Sequence, residues 1–281
     1  MIIFCALSLF FVNYIMPDIG VIGGSGIYSI PGLRKTDEKR VETPFGEPSD
    51  SYLIAELDGR AVVFLPRHGS GHAVAPHKIN YRANIWGMRH LGVKRIIAVN
   101  ATGSLLESVP PRSIVIPHQL IDYTAGARAA TFFEDREVVH VDFTDPYCPE
   151  LRNTLADACR QASPAAPFFD SGVYVCVNGP RLETAAEISA YAKLGGSIIG
   201  MTGMPEAVLA RESEMCYCAL AVITNYAAGI NPSARLTTGE VLENMRQSVP
   251  LLQDILRRAI SLVPDERSNC LCAAALKDSR L

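Results

Sequence analysis

Six short clusters of small and polar residues hold the side chains in this sequence that could do chemistry. Gly23-Gly24-Ser25-Gly26 directly follows an apolar run. Its glycines free backbone N–H groups to turn toward an anion, and Ser25 adds a hydroxyl donor. Pro66-Arg67-His68-Gly69 sets a guanidinium fork beside an imidazole, a pair suited to a phosphate or a carboxylate. Asn100-Ala101-Thr102-Gly103-Ser104 combines small donors with room for a ligand to approach the backbone closely. Gly179-Pro180-Arg181-Leu182-Glu183-Thr184 ends one apolar run and opens a helical one. Thr184 and Glu187 stand at capping-box spacing, so Thr184 reads as a helix cap, whereas Glu183 has no structural task. Gly200-Met201-Thr202-Gly203-Met204-Pro205-Glu206 could line a sugar or pack irregularly in a core. Thr224-Asn225-Tyr226-Ala227-Ala228-Gly229 contributes an Asn amide, whose donor and acceptor together can read the edge of a heterocycle.

Each cluster alone could be a turn, a surface ion pair or a cap. The glycine turn makes a weak dinucleotide signal, because Ser29 stands where a third glycine would be needed. It is not a phosphate-binding loop of the Gly-Lys-Ser/Thr kind either. His72 and His77 follow the arginine cluster, and one of them could be a plain surface residue. Six clusters that each follow an apolar run are better explained by one shared cleft than by six separate turns.

The elements that must position them are legible as well. Strand-length runs rich in Val and Ile occur at Ile19–Ile22, Ala61–Leu65, Arg95–Val99, Ser113–Pro117, Val173–Val177, Ser197–Ile199 and Ala219–Thr224. Several are apolar at every position, as strands covered on both faces should be. Helical patterns lie between them at Ile79–Leu91, Pro149–Ala162, Thr184–Ala192 and Glu240–Leu262, the last with apolar residues near a 3.6-residue period. The alternation predicts a single α/β domain: a central mixed, mostly parallel sheet flanked by helices. In such sheets ligands gather at the carboxyl ends of the strands, which is where the six clusters fall.

The 281 residues include 26 Lys plus Arg against 29 Asp plus Glu, a formal charge of −3. No basic field is available for a polyphosphate backbone, which argues against a nucleic-acid partner. At 48% hydrophobic and 20% charged residues the chain is globular rather than disordered. Its eight cysteines form no Cys-x-x-Cys pair and no Cys/His cluster in sequence, so no metal site is expected. Cys216 and Cys218 read as small buried hydrophobes, and Cys270 and Cys272 as plain tail thiols in a reducing, cytoplasmic compartment. Residues 1–16 are uncharged but lack the basic start and cleavage site of a signal peptide, and are short for a membrane span. A short anchor, a buried apolar arm or a true start at Met16 would account for them, and the last is preferred. The expected organisation is a leader at 1–16, one domain at 17–264 and a loosely packed tail at 265–281.

Taken together, GGSG, RHG, Asn80–Trp86 (NYRANIW), NATGS, GPRLETAAE, GMTGMPEAVLARE and TNYAAG resemble the purine nucleoside phosphorylase family, most of all its trimeric branch acting on methylthio-nucleosides. The resemblance runs from about Ile19 to Val263, in order and at the family's spacing. It implies phosphorolysis of a purine ribonucleoside, with inorganic phosphate as co-substrate and no metal or organic cofactor. On that resemblance Ser25, Arg67, His68 and Thr202 would hold phosphate, with backbone support at Asn100 and Ala101. Met201 would line the ribose, and Asn225, Tyr226 and Ala227 would flank the base. His140, in His-Val-Asp-Phe, matches a segment lent to a neighbouring subunit's site, which implies a homotrimer.

Departures within the resemblance speak to the substrate. Methylthioadenosine phosphorylases carry Asp where this chain has Asn225, and a second Asp where it has Ala227. Glu183 takes the place where 6-oxopurine phosphorylases use a carboxylate to accept from N1–H. Both point to a 6-oxopurine. No His follows His140 to bond a 5′-hydroxyl, and Thr238 stands in the 5′-pocket segment with Val241 and Leu242 close behind. An apolar 5′ pocket suits a methylthio group, so 5′-methylthioinosine is the expected nucleoside. A methylthioadenosine phosphorylase and a general inosine/guanosine phosphorylase are the alternatives within the family. A nicotinamide-dependent dehydrogenase and a non-catalytic nucleoside-binding module are the alternatives outside it.

Overall fold

The computed structural model describes residues 16–134, 137–162, 167–231 and 237–280; the side chain of Ser25 lies outside that description. Of the apolar leader only Met16 is described. Among the described residues no helix is long and apolar enough to cross a membrane.

Eleven strands form one sheet: β1 (Ile19–Gly23), β2 (Arg34–Lys39), β3 (Tyr52–Leu57), β4 (Arg60–Pro66), β5 (Arg95–Ser104), β6 (Ile114–Val115), β7 (Gln119–Tyr123), β8 (Phe168–Phe169), β9 (Val173–Val177), β10 (Ile198–Gly200) and β11 (Cys216–Tyr226). Along the main path the order is β2-β3-β4-β1-β5-β10-β9-β7, while β11 pairs with β5 and β6, and β6 with β8. The expected mixed, mostly parallel sheet is present: β1 runs parallel to β4 and β5, and β11 runs parallel to β5 over nearly its whole length.

The helices are α1 (Tyr81–His90), α2 (Pro149–Ala162), α3 (Ala185–Lys193), α4 (Glu206–Glu212) and α5 (Thr238–Leu262). Successive residues of β5 face opposite layers, as the strand pleat requires. Ile97 and Val99 join a cluster with Leu151 and Leu155 of α2 and Leu252, Ile255 and Ile260 of α5. Ile96 and Ala98 join another with Ile85 and Met88 of α1 and Ala207 and Leu209 of α4. Covering on both faces is why β1, β5 and β11 are apolar without alternation.

Three expectations need correction. Asn100–Ser104 and Thr224–Tyr226 are not loops beyond their strands; each is the last stretch of its strand, because β5 and β11 pair with each other up to Ser104 and Tyr226. The tail is mostly exposed, as expected of a loose one, but it is held at particular points. Cys272 is buried in the core cluster with α2 and α5, and Arg280 bridges Val139. The cysteines, scattered in sequence, do form a cluster: Cys148, Cys216, Cys270 and Cys272 converge.

Candidate active site

The site begins with an interruption in the sheet. On one side of β5, residues Arg95–Ala98 pair with β1, and Gly103 and Ser104 pair with β10. Between the two ladders, Val99–Thr102 meet no strand on that side among the described residues. Ala101 is the one exposed position in an otherwise buried β5. Contacts link the six clusters one to another, starting at this opening.

Gly23 and Gly24 lead from β1 into a 3-10 turn at Ser25–Ile27. The Arg67 N–H donates to the Gly23 carbonyl at 3.0 Å, which ties the second cluster to the first. The Arg67 side chain is buried, and three of its five N–H groups are spoken for. Nε and Nη2 grip Glu206 at 2.7 and 2.9 Å, while Nη1 donates to the Val99 carbonyl at 2.8 Å inside the gap. Burial works against its charge, but Glu206 outweighs that and holds the guanidinium pKa above its ordinary value. One N–H on each terminal nitrogen remains for a ligand. The surface ion pair considered for Arg67 is thus a buried one.

His68 is half-buried and stacks on His72, ring centroids 4.5 Å apart. Desolvation, with smaller contributions from Arg67 and His72, lowers its pKa to about 4. Its Nδ1 lies 2.8 Å from the Val74 carbonyl. A carbonyl only accepts, so Nδ1 carries the proton and Nε2 of the neutral ring is left as an acceptor.

Across the gap, Asn100 Nδ2 donates to Thr202 Oγ1 at 2.8 Å, and the Asn100 Oδ1 is buried with no hydrogen-bond partner among the described residues. Asn225 comes next. A Cβ on Gly103 would lie 3.1 Å from Asn225 Nδ2 and 3.6 Å from Ala227, so a side chain here would crowd the Asn225 amide. The Asn225 Oδ1 accepts from Thr224 Oγ1 at 2.9 Å, and its Nδ2 donates to the Tyr226 carbonyl at 2.9 Å. One amide N–H and one lone pair stay free. Tyr226 lines a pocket of ≈ 350 Å³ with Glu107, Ile230 and Asn231.

Ala227 packs with Ile188, Ile199 and the flank of Met201, bringing α3 and the methionine segment under the end of β11. Met201 lies against Gly179, where a Cβ would come within 2.3 Å of its sulfur. Gly229 in turn abuts Ala185, two residues after Glu183. Thr184 caps α3 in a full capping box with Glu187, as its spacing predicts. Glu183 is half-buried, and desolvation raises its carboxyl pKa.

The remaining candidates lie farther out. Thr238 is the first residue of α5, exposed, with Thr237 as the capping residue. Leu242 is 65% exposed, so within one chain it does not line the expected apolar pocket, while Val241 is half-buried. His140 is exposed on a segment held by the tail, its N–H donating to the Ser279 carbonyl at 2.8 Å.

Two residues escape sequence reasoning. Glu206 is fully buried, pairing Arg67 and accepting from the Tyr217 hydroxyl at 3.0 Å. The Met-Pro-Glu spelling places it at a helix start but says nothing of its partner 139 residues away. Arg128 donates to Asn178 Oδ1 and the Asn178 carbonyl, to the Tyr81 hydroxyl and to the Met201 and Met204 carbonyls, pinning the methionine segment to the end of β9. Nothing in its sequence surroundings signals this.

The chain is similar to known proteins along nearly its whole length. A probable S-methyl-5′-thioinosine phosphorylase of Thermodesulfovibrio yellowstonii is 50% identical, across 93% of this chain and 96% of that protein. A 6-oxopurine nucleoside phosphorylase of Pyrococcus furiosus is 48% identical, across 93% and 98%. A methylthioadenosine phosphorylase structure from an antarctic soil metagenomic library superposes with TM-score 0.89 at 38% identity, over 95% of this chain and 93% of that one. With a further match to the phosphorylase superfamily across residues 18–261, nearly the whole described domain, the chain belongs to that superfamily.

Proposed function

We propose that this protein cleaves 5′-methylthioinosine with inorganic phosphate, releasing hypoxanthine and 5-methylthioribose 1-phosphate for purine salvage. It is a pentosyltransferase of the nucleoside phosphorylase type. The observation that carries the choice of base is Asn225, an amide with one donor and one acceptor free at the end of β11. Its N–H suits O6 of a 6-oxopurine, and its oxygen suits a protonated N7. The half-buried Glu183 carboxylate, on the segment that abuts the same loop, suits N1–H. A 6-aminopurine would set donor against donor at the amide.

In the proposed reaction the C1′–N9 bond loosens toward an oxocarbenium-like sugar, and its electron pair leaves with the purine, which takes a proton from water at N7 while the sugar phosphate returns one to solvent. A phosphate oxygen forms the new bond to C1′. Positioning and charge complementarity supply most of the rate. Phosphate would sit in the β5 gap on Ser25, Arg67, His68 and Thr202, with the backbone of Asn100 and Ala101. The neutral His68 Nε2 suits the P–OH of monohydrogen phosphate, which turns the charged oxygens toward Arg67 and the sugar. Because Glu206 already offsets the Arg67 charge, hydroxyls and backbone N–H groups would carry much of the anion binding. Met201 would pack on the ribose, Tyr226 and Ala227 on the base, and Thr238 near the 5′ group. The reaction as proposed uses phosphate and no organic cofactor or catalytic metal, in the cytoplasm.

His140 would complete the site of an adjacent copy in a homotrimer. Its exposed position on a tail-anchored segment supports that role, as does the open flank at Leu242, which a neighbouring subunit would cover. Sedimentation equilibrium is expected to give three chains per particle; a monomer would overturn the shared site.

Phosphorolysis of methylthioinosine, methylthioadenosine, inosine and guanosine, followed by absorbance, tests the substrate. The highest kcat/KM is expected for methylthioinosine. A higher value for methylthioadenosine overturns the base assignment, a higher value for inosine overturns the 5′ assignment, and purine binding without base release overturns the enzyme.

A further inference from the structure

At the opposite end of β11 from Asn225, four cysteines from three distant segments meet. Cys148 immediately precedes α2, Cys216 opens β11, and Cys270 and Cys272 flank Leu271 on the C-terminal segment, Cys272 starting a 3-10 turn. All four Sγ atoms lie within 4.8 Å of one another, and Cys216 and Cys270 are 3.5 Å apart. Cys148, Cys216 and Cys272 are buried, and Cys270 is half-buried. Nine residues of strand, roughly 30 Å at about 3.3 Å per residue, separate this cluster from Asn225.

The distances discriminate between the things four cysteines can do. A disulfide requires sulfurs at about 2.05 Å, and would pair them two by two. Four thiolates around one zinc ion at about 2.3 Å sit at the corners of a tetrahedron whose edges are about 3.8 Å. Mutual proximity of all four within 4.8 Å, with Cys216 and Cys270 at 3.5 Å, accommodates the second arrangement. Packing alone does not explain it, since Cys218, one turn of the pleat away, is fully buried without entering the group.

The surroundings also suit the charge of a tetrathiolate site. Cys148 stands at the N-terminus of the fourteen-residue α2, where the helix dipole favours a thiolate. Arg211 lines the same cavity as Leu271 and Cys272, offering a cation to the excess negative charge.

We propose that Cys148, Cys216, Cys270 and Cys272 bind one zinc ion in a closed structural site that clasps the C-terminal segment onto the domain. All-sulfur ligation with no open position is the pattern of a structural rather than a catalytic zinc. The clasp has a definite target. Beyond Cys272 the tail reaches Ser279 and Arg280, which hold His140 and Val139, and Arg280 pairs with Glu137 at 2.7 Å. Cys148 fixes the other end of that same 137–148 segment. One ion thereby anchors both ends of the stretch that presents His140.

The test uses the full chain, purified without chelator after growth with zinc. Mass spectrometry of metals is expected to find about one zinc per chain, falling at least tenfold in Cys148→Ser and Cys272→Ser. Cobalt(II) exchanged into the wild-type chain is expected to show the charge-transfer and d–d bands of a tetrahedral tetrathiolate, a readout that holds even if the serine variants misfold. Four thiols that titrate freely in a zinc-replenished, desalted chain would overturn the proposal. So would an intact mass short of the hydrogens lost to disulfides among these four, or iron or copper in place of zinc. None of these measurements depends on phosphorolysis, so failure here leaves the proposed reaction untouched.

Discussion

Asn225 shows how little separates two substrate preferences at a single position. Its amide spends one donor and one lone pair on Tyr226 and Thr224, leaving one of each for a purine edge. Replacement by Asp removes the donor and leaves acceptors only. Asn225→Asp is therefore expected to lower the kcat/KM ratio of methylthioinosine to methylthioadenosine by roughly ten- to a hundredfold, the worth of one mispaired buried polar contact at about 1–3 kcal/mol. An unchanged ratio, measured on both nucleosides, would mean that the edge is read elsewhere. Residues such as Asn225, Arg67 and His68 were legible because their types announce chemistry and they sit at strand ends. Glu206 and Arg128 were not, because their importance lies in partners that only the fold brings near. A carboxylate at the start of a helix looks like a dipole partner until Arg67 is seen to be bound to it.

The elements were legible in proportion to how fully they are buried. Strands β1, β5, β9 and β11 announce themselves as unbroken Val- and Ile-rich runs because helices cover both their faces. By contrast β2, spelled Arg-Lys-Thr-Asp-Glu-Lys, lies exposed at the sheet's edge and has no apolar alternation to betray it. The seven-residue α4 is too short to show a period, so its first residue, Glu206, lost its context as well. Between elements the methionine segment depends on close approach to the turn after β9. Gly179 has φ +63°, and a Cβ there would sit 2.3 Å from the Met201 sulfur. Gly179→Ala is expected to cost about 1–3 kcal/mol through backbone strain and to displace Met201. A severalfold rise in KM for the nucleoside with a smaller change in kcat, alongside a lowered melting temperature, would bear this out. Wild-type KM would show that Met201 does not touch the sugar.

At the scale of the whole molecule, the domain cannot be trimmed at its apparent end. Asp265 bonds Arg60 through its carboxylate and Arg95 through its carbonyl, and Arg95 is fully buried at the foot of β5 with Asp18 at 2.5 Å. Cys272 lies in the core and Arg280 holds the His140 segment. A chain ending at Pro264 uncovers all of this. Its melting temperature is expected to drop by about 5–10 °C, since a loss of roughly 2–3 kcal/mol shifts a domain of this size by about 2–4 °C per kcal/mol. Limited chymotrypsin digestion is expected to cut it faster at Phe143, whereas equal digestion rates would show that the tail does not support that segment. The sequence concealed this because tail thiols and scattered charges carry no periodicity.

The gap beside β5 has one further implication, for thermodynamics rather than chemistry. Along Arg95–Ala98 and again at Gly103–Ser104 this flank of β5 is paired with a neighbouring strand, but at Val99–Thr102 it is left for something else to complete. A bound anion there would act as the missing length of strand, seating on groups that the fold supplies already aligned. Its binding energy would then be added to the cohesion of the whole sheet, by about 2.7 kcal/mol at a hundredfold excess over its dissociation constant. The same vacancy that admits a substrate would make the occupied protein the sturdier one.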